Sequence, residues 1–192
     1  MGKILLASSS IYRKEQLQKL NIDFSTQAPD VDEDSVKHSC ADHLQLSREL
    51  AHLKAQAVAS TNPSAIVIGG DQVASFNNTI LSKPKTKNKA FEQLTLLSGS
   101  EHQLITSLAI TFNGEELLHT CTAKMKMRPL SDEQIRRYID IDEPLQSCGS
   151  YRIEALGISL FESIDCEDFT SIIGIPLMWT ATTLSKLGVS IP

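Results

Sequence analysis

Four stretches of this sequence combine residue types that could hold phosphate or move a proton. In Ala7-Ser8-Ser9-Ser10-Ile11-Tyr12-Arg13-Lys14 a short apolar strand gives way to a helix. A helix amino terminus offers unpaired N–H groups and a positive dipole end, and here hydroxyls and two cations are added. That suits a phosphate, and it equally suits a plain serine N-cap with solvated basic neighbours. The second stretch, Gly69-Gly70-Asp71-Gln72, follows the apolar run Ala65-Ile66-Val67-Ile68. Ligands of open α/β sheets sit at the carboxyl ends of strands, where Asp71 would serve as a proton acceptor. An aspartate bonding its own turn is the alternative. The third is a pair of lysines: Lys54, on a helix whose other face is apolar, and Lys83, in Leu81-Ser82-Lys83-Pro84 after a strand. Both read equally well as surface lysines. The fourth runs from Asp142-Glu143-Pro144 to Cys148-Gly149-Ser150-Tyr151-Arg152-Ile153-Glu154-Ala155-Leu156-Gly157. It alternates charged and apolar residues, as a ligand-facing segment or an ordinary loop and strand would.

The elements that must position these residues follow from hydrophobic period and turn chemistry. Lys3 to Ala7 reads as a buried strand, followed by a helix carrying Leu17 and Leu20 on one face and a second strand at Ile22 to Thr26. The acidic, polar stretch Asp30 to Ser39 reads as a loop. Asp42 to Ser60 is the clearest helix, with Leu46, Leu50, Leu53 and Ala57 as its apolar stripe. Ala65 to Ile68 reads as a central strand, and Asn77-Asn78 and Asn113-Gly114 mark hairpins. A helix at Ala90 to Leu97 ends in Ser98-Gly99, and Ser131 with Gln134 resembles a capping box opening a helix through Ile139. Pro176 suits the first turn of a final helix that Gly188 closes. Strands alternating with helices, with hairpins among them, predict an α/β fold with a mixed sheet, organised as one domain over residues 1–192.

Composition excludes several classes. A net charge of −5 argues against a sequence-independent nucleic-acid binder, while a phosphate site needs only a few cations placed locally. No dinucleotide fingerprint, Walker loop or nucleophile elbow is present. The histidines His38, His43, His52, His102 and His119 lack metalloprotease spacing and read as surface or half-buried side chains. Cys40, Cys121, Cys148 and Cys166 form no C-x-x-C pair and suit a reducing compartment. With no signal peptide and no run of membrane-spanning length, a cytoplasmic protein without a membrane partner is expected.

Taken in order, these segments resemble the Maf family of nucleotide pyrophosphatases from Lys3 to about Gly188. The family's S-x-S-P-x-R is matched by Ser8, Ser10 and Arg13, with Ile11 in place of the proline. Its acidic pair is matched by Asp32-Glu33 and its helical lysine by Lys54-Ala55. Gly69-Gly70-Asp71-Gln72-Val73, Ser82-Lys83-Pro84, Leu97-Ser98-Gly99 and the segment from Asp142 to Tyr151 complete the order. Ser100 departs from the arginine that many relatives carry there.

The resemblance implies an elongated mixed β-sheet with flanking helices, two lobes around a nucleotide-binding cleft, of the Maf/ITPase-like kind. It implies hydrolysis between the α- and β-phosphates of a nucleoside triphosphate, with a divalent cation, Mg²⁺ or alternatively Mn²⁺. By resemblance Asp71 is the general base and Glu33 the metal-holding carboxylate. Ser8, Arg13, Lys54 and Lys83 would grip the triphosphate. Three positions divide the family's branches. Tyr12, Gln72 and Glu154 resemble the tryptophan, glutamine and glutamate of the 7-methyl-GTP branch, Tyr12 keeping only the aromatic character. An aromatic face favours the cationic methylated ring, and glutamate accepts from guanine N–H groups. The competing readings are a dTTP/UTP pyrophosphatase of the same family and a nucleotide-binding regulator of cell division with little turnover. A homodimer is an open alternative to a monomer.

Overall fold

The computed structural model describes residues 2–191. Its centre is a seven-stranded mixed sheet, ordered β2-β1-β3-β5-β6-β7 with β4 paired to β3. The strands are β1 (Ile4–Ala7), β2 (Ser25–Gln27), β3 (Ile66–Phe76), β4 (Thr79–Ile80), β5 (Glu101–Phe112), β6 (Glu115–Met127) and β7 (Phe161–Asp165). Six helices accompany them: α1 (Ile11–Gln18), α2 (Glu33–Ser39), α3 (His43–Ala59), α4 (Lys87–Leu97), α5 (Asp132–Asp142) and α6 (Leu177–Lys186). β1 runs parallel to both β2 and β3, whereas β4 on β3 and β7 on β6 are antiparallel. The expected mixed α/β fold is therefore present. No helix of the described residues is long and apolar enough to cross a membrane.

The chain divides into two compact units. The first comprises Met1–Gln72, Thr106–Cys121 and Asp168–Pro192, the second Val73–Ile105 and Thr122–Glu167. In the first, Ile4, Leu6, Leu17, Ile66, Ile68, Leu108, Ile110 and Leu184 form one core on one side of β1 and β3. Leu5, Ala7, Val58 and Val67 form a second core from the alternate positions, as the period of two requires. Each fully buried leucine contributes about 2 kcal/mol of transfer free energy. In the second unit α4 packs on α5, burying Leu94, Leu97, Ile135 and Ile139.

Local chemistry explains the element boundaries. Ser10 caps α1 by accepting from the Arg13 N–H, and Ile11 takes the first helical position, where the family's proline would fit because that N–H has no intrahelical partner. Asp42 caps α3 through the N–H groups of Leu44 and Gln45. The capping box of Ser131 and Gln134 is complete. Asn77, Asn78, Asn113 and Gly114 all take positive φ at the two hairpin turns.

Expectations for three places need correction here, and that for the face of α3 is corrected with the site below. The stretch Asp30 to Ser39 is not all loop: α2 occupies most of it, opened by the Asp32 cap with Glu33 and Asp34 in its first turn. It buries no residue, so hydrophobic period could not disclose it. Gly69-Gly70 does not end a strand; β3 runs through both glycines, and Asp71 and Gln72 lie within it. The parallel partner β1 stops at Ala7, level with Gly69, so Asp71 still stands just beyond the carboxyl end of the parallel part. His102, only 2% exposed, is fully buried rather than surface or half-buried.

Candidate active site

The site in the first unit begins with a close approach of α3 to β3. A Cβ added at Gly69 would lie 2.4 Å from the Ala55 N and 2.6 Å from the Ala51 O. Only glycine leaves room for the helix backbone there, and Ala51 and Ala55 face it because they are small. This contact rotates α3 from the expected stripe. Ser47, Leu50, Ala51, Lys54, Ala55 and Val58 are buried, whereas Leu53 and Ala57 are only half-buried. Lys54 therefore lies on the packed face, not opposite it.

A lysine there needs compensating charge, since burying an unpaired ammonium costs several kcal/mol. Lys54 Nζ lies 2.7 Å from Asp71 Oδ1 and 2.7 Å from Glu33 Oε1. Asp71 is buried with it. Burial alone would raise the Glu33 carboxyl, but the Lys54 hydrogen bond and the charges of Lys54, Lys37 and Arg13 bring it below its ordinary value. Lys37, missed in the sequence reading, lies 3.7 Å from Glu33 Oε2 and 3.0 Å from Asp34 Oδ1. Its spacing of four residues from Glu33 on a helix was the available signal.

Ser8 and Arg13 reach the same unit by a different route. Ser8 follows the last residue of β1, is buried, and accepts from the Ser10 N–H at 3.1 Å. Arg13 donates from Nε to the Gly174 carbonyl at 3.2 Å. A Cβ at Gly174, whose φ is 130°, would lie 3.2 Å from Arg13 Cγ, so the glycine both takes a conformation closed to other residues and makes room for the arginine. Tyr12, half-buried, precedes Arg13 on α1. Gln72, beside Asp71, donates from Nε2 to Thr106 Oγ1 and to the carbonyls of Ser171 and Ile172. Thr106 and the 3-10 turn Phe169–Ile173 are thus further site-supporting groups that the sequence reading missed. Thr106-Ser107, a polar interruption in the apolar run of β5, was the one visible hint.

Lys83 and Glu154 belong to the second unit. Lys83 is exposed in the segment between β4 and α4. Glu154 is exposed after the short 3-10 turn Cys148–Ser150, with Oε1 3.5 Å from Arg152 Nε. A Cβ at Gly157 would lie 2.3 Å from the Arg152 carbonyl, so the turn carrying Glu154 closes only on a glycine.

Two hard-oxygen carboxylates, Glu33 and Asp71, thus share one ammonium. Mg²⁺ takes one or two carboxylates and fills its remaining positions with substrate phosphate and water, and this donor pair fits that requirement. Among the described residues no group of three or more His, Cys, Asp or Glu side chains gathers as an all-protein metal cage would need.

Comparison with known proteins bears on this arrangement. The family model described as "Maf-like protein" matches residues 3–187. A 7-methyl-GTP pyrophosphatase of Pseudomonas savastanoi pv. phaseolicola is 41% identical over 100% of this chain and 100% of its own length. Another protein of that name, from Bdellovibrio bacteriovorus, is 39% identical over 92% of each chain. The solved structure of a HAM1 protein from Coxiella burnetii aligns with a TM-score of 0.49 and 16% identity over 66% of this chain and 73% of that one, too slight a likeness to bear on the site.

Proposed function

The chain belongs to the Maf family, and from that premise we propose that it hydrolyses 7-methyl-GTP to 7-methyl-GMP and pyrophosphate, removing a modified nucleotide from the cytoplasmic pool. The observation that carries this reading is the Lys54 ammonium held 2.7 Å from both Glu33 and Asp71 beyond the carboxyl end of β1. The names of these two relatives, both 7-methyl-GTP pyrophosphatases, support the same substrate.

The residues suit the steps. Lys54 engages Asp71 through Oδ1, which leaves Oδ2 to accept a proton from water. The water oxygen bonds to the α-phosphorus, the bond from that phosphorus to the α–β bridging oxygen breaks, and pyrophosphate leaves carrying that oxygen. Charge growing on the leaving group meets Arg13 and the Ser8 hydroxyl, with Lys54 and Lys37 beside the carboxylates; Lys83 is assigned to the phosphates on the family pattern alone. Glu33, ionised at neutral pH because its carboxyl is held low, would hold Mg²⁺ together with phosphate oxygens. When bound, that ion supplies charge neutralisation at the phosphates.

Base selection is assigned to Tyr12, Gln72 and Glu154. Tyr12 would stack on the cationic ring for roughly 0.5–2 kcal/mol, and Glu154 would accept from guanine N–H groups. A panel of 7-methyl-GTP, GTP, dTTP and UTP, assayed with Mg²⁺, tests the assignment. Highest kcat/KM on 7-methyl-GTP is expected, with a lowered preference in Glu154→Gln; faster turnover of dTTP or UTP would remove the base assignment.

A further inference from the structure

The hydrogen bonds of Gln72 fix which end of its amide faces the neighbouring backbone. Nε2 lies 2.9 Å from the Ile172 carbonyl, 3.1 Å from the Ser171 carbonyl and 3.0 Å from Thr106 Oγ1. Carbonyl oxygens only accept, so the nitrogen must face them and the amide oxygen must point away. Thr106 is buried and spends its own proton on the Ser171 carbonyl at 2.9 Å, so what it offers Gln72 is a lone pair. Three acceptors therefore stand against two amide protons. Oε1 accepts no hydrogen bond from the described residues, and it is not among their buried orphaned atoms.

The neighbouring backbone holds Arg13 and the buried Gln16 of α1 in the same way. The Gly174 carbonyl takes Arg13 Nε, and the carbonyls of Thr170 and Ile175 take Nε2 of the buried Gln16. Asp168 anchors the segment by accepting from the N–H groups of Thr170 and Met178.

We infer that Thr106 is a positioning residue for base selection: with the Ser171 and Ile172 carbonyls it fixes the Gln72 amide so that Oε1 alone is offered, and the base edge docking there must bring an N–H donor. The inference rests on the substrate reading above. Guanine presents N1–H and an exocyclic amine along one edge, whereas hypoxanthine keeps only N1–H. An acceptor-only glutamine therefore favours 7-methyl-GTP over 7-methyl-ITP, and a glutamine free to rotate discriminates less.

The test uses Thr106→Val, which keeps the shape without the hydroxyl, and Thr106→Ser, which keeps the hydroxyl. Two readouts are taken: hydrogen exchange of the Gln72 side-chain amide by NMR without nucleotide, and the ratio of kcat/KM for 7-methyl-GTP over 7-methyl-ITP. Two carbonyls still face the two amide protons in Thr106→Val, so what the variant loses is the hydroxyl that holds the Ser171 carbonyl in place, and loss of one neutral hydrogen bond corresponds to about a three- to tenfold effect. Thr106→Val is expected to speed amide exchange and lower the ratio by that factor, chiefly through KM, while Thr106→Ser restores both. Unchanged exchange in Thr106→Val, or faster exchange with an unchanged ratio, overturns the inference. A wild-type enzyme preferring UTP removes the substrate reading instead, and amide exchange then still decides how Gln72 is held. If Thr106→Val does not fold, Gln72→Glu keeps acceptors but loses both donors; a lost preference is expected, and a retained one overturns the inference.

Discussion

Lys54 in the first unit and His102 in the second are both basic groups withdrawn from water, 6% and 2% exposed, and they are accommodated in opposite ways. Lys54 is met by two carboxylates, Glu33 and Asp71, at 2.7 Å each. Among the described residues His102 has no carboxylate partner. Its Nε2 shares a 2.7 Å hydrogen bond with Tyr151, Phe161 packs against both rings, and Nδ1 is buried without a partner. Burial therefore lowers its pKa to about 4 and keeps it neutral. The difference separates a cluster of fixed charges, able to meet phosphate and take a proton, from a neutral aromatic cluster that contributes packing.

Lys54→Met strikes the charged cluster hardest. It leaves the buried Asp71 without its cation, so a loss of about 3 kcal/mol in stability is expected. A fall of 10²–10³ in kcat, roughly 2.7–4 kcal/mol in the transition state, accompanies it. Denaturant unfolding and steady-state kinetics read the two effects separately. If neither moves, the ion pairs are incidental.

The neutral cluster responds to pH. An imidazole at about 4 when folded and near 6.5 when unfolded binds more protons unfolded between those values. Stability is fully present above pH 6.5 and falls as acid is added, by about 2 kcal/mol at pH 5. His102→Gln should flatten that part of the stability curve in urea titrations at pH 7 and 5. An equally steep curve in the variant would assign the titration elsewhere. The smallest effect belongs to a residue in neither cluster: Ser131→Ala removes half of the capping box on α5 and should cost about 1 kcal/mol with kcat unchanged. A Tm unmoved within error would show that the cap is dispensable.

Legibility in the sequence followed the same division. Turns and the capping box were readable because their signals are local: Asn113-Gly114, Asn77-Asn78 and Ser131 all act where their residue types suggest. The identities of Glu33, Lys54 and Asp71 were readable from the ordered motifs, but their meeting was not. The inward face of α3 is set by Ala51 and Ala55 closing on Gly69, a packing of small groups that hydrophobic period does not weigh, so the period alone points Leu53 inward and Lys54 outward. Gly69-Gly70 reads as a turn by composition, yet its lack of side chains serves a close approach inside a continuous strand. The roles of Thr106, Gly174 and the carbonyls of Ser171 and Ile172 depend on pairs up to 161 residues apart, which no local pattern encodes.

Product identification with Asp71→Asn tests the central claim most directly, that the Lys54-bound carboxylates form the centre of α–β cleavage. Wild-type protein incubated with 7-methyl-GTP and Mg²⁺ is expected to release 7-methyl-GMP and pyrophosphate in equal amounts. Asp71→Asn should bind the nucleotide yet turn it over about 10²–10⁴ times more slowly. Release of single phosphates by the wild type, or an undiminished rate in Asp71→Asn, would contradict the account.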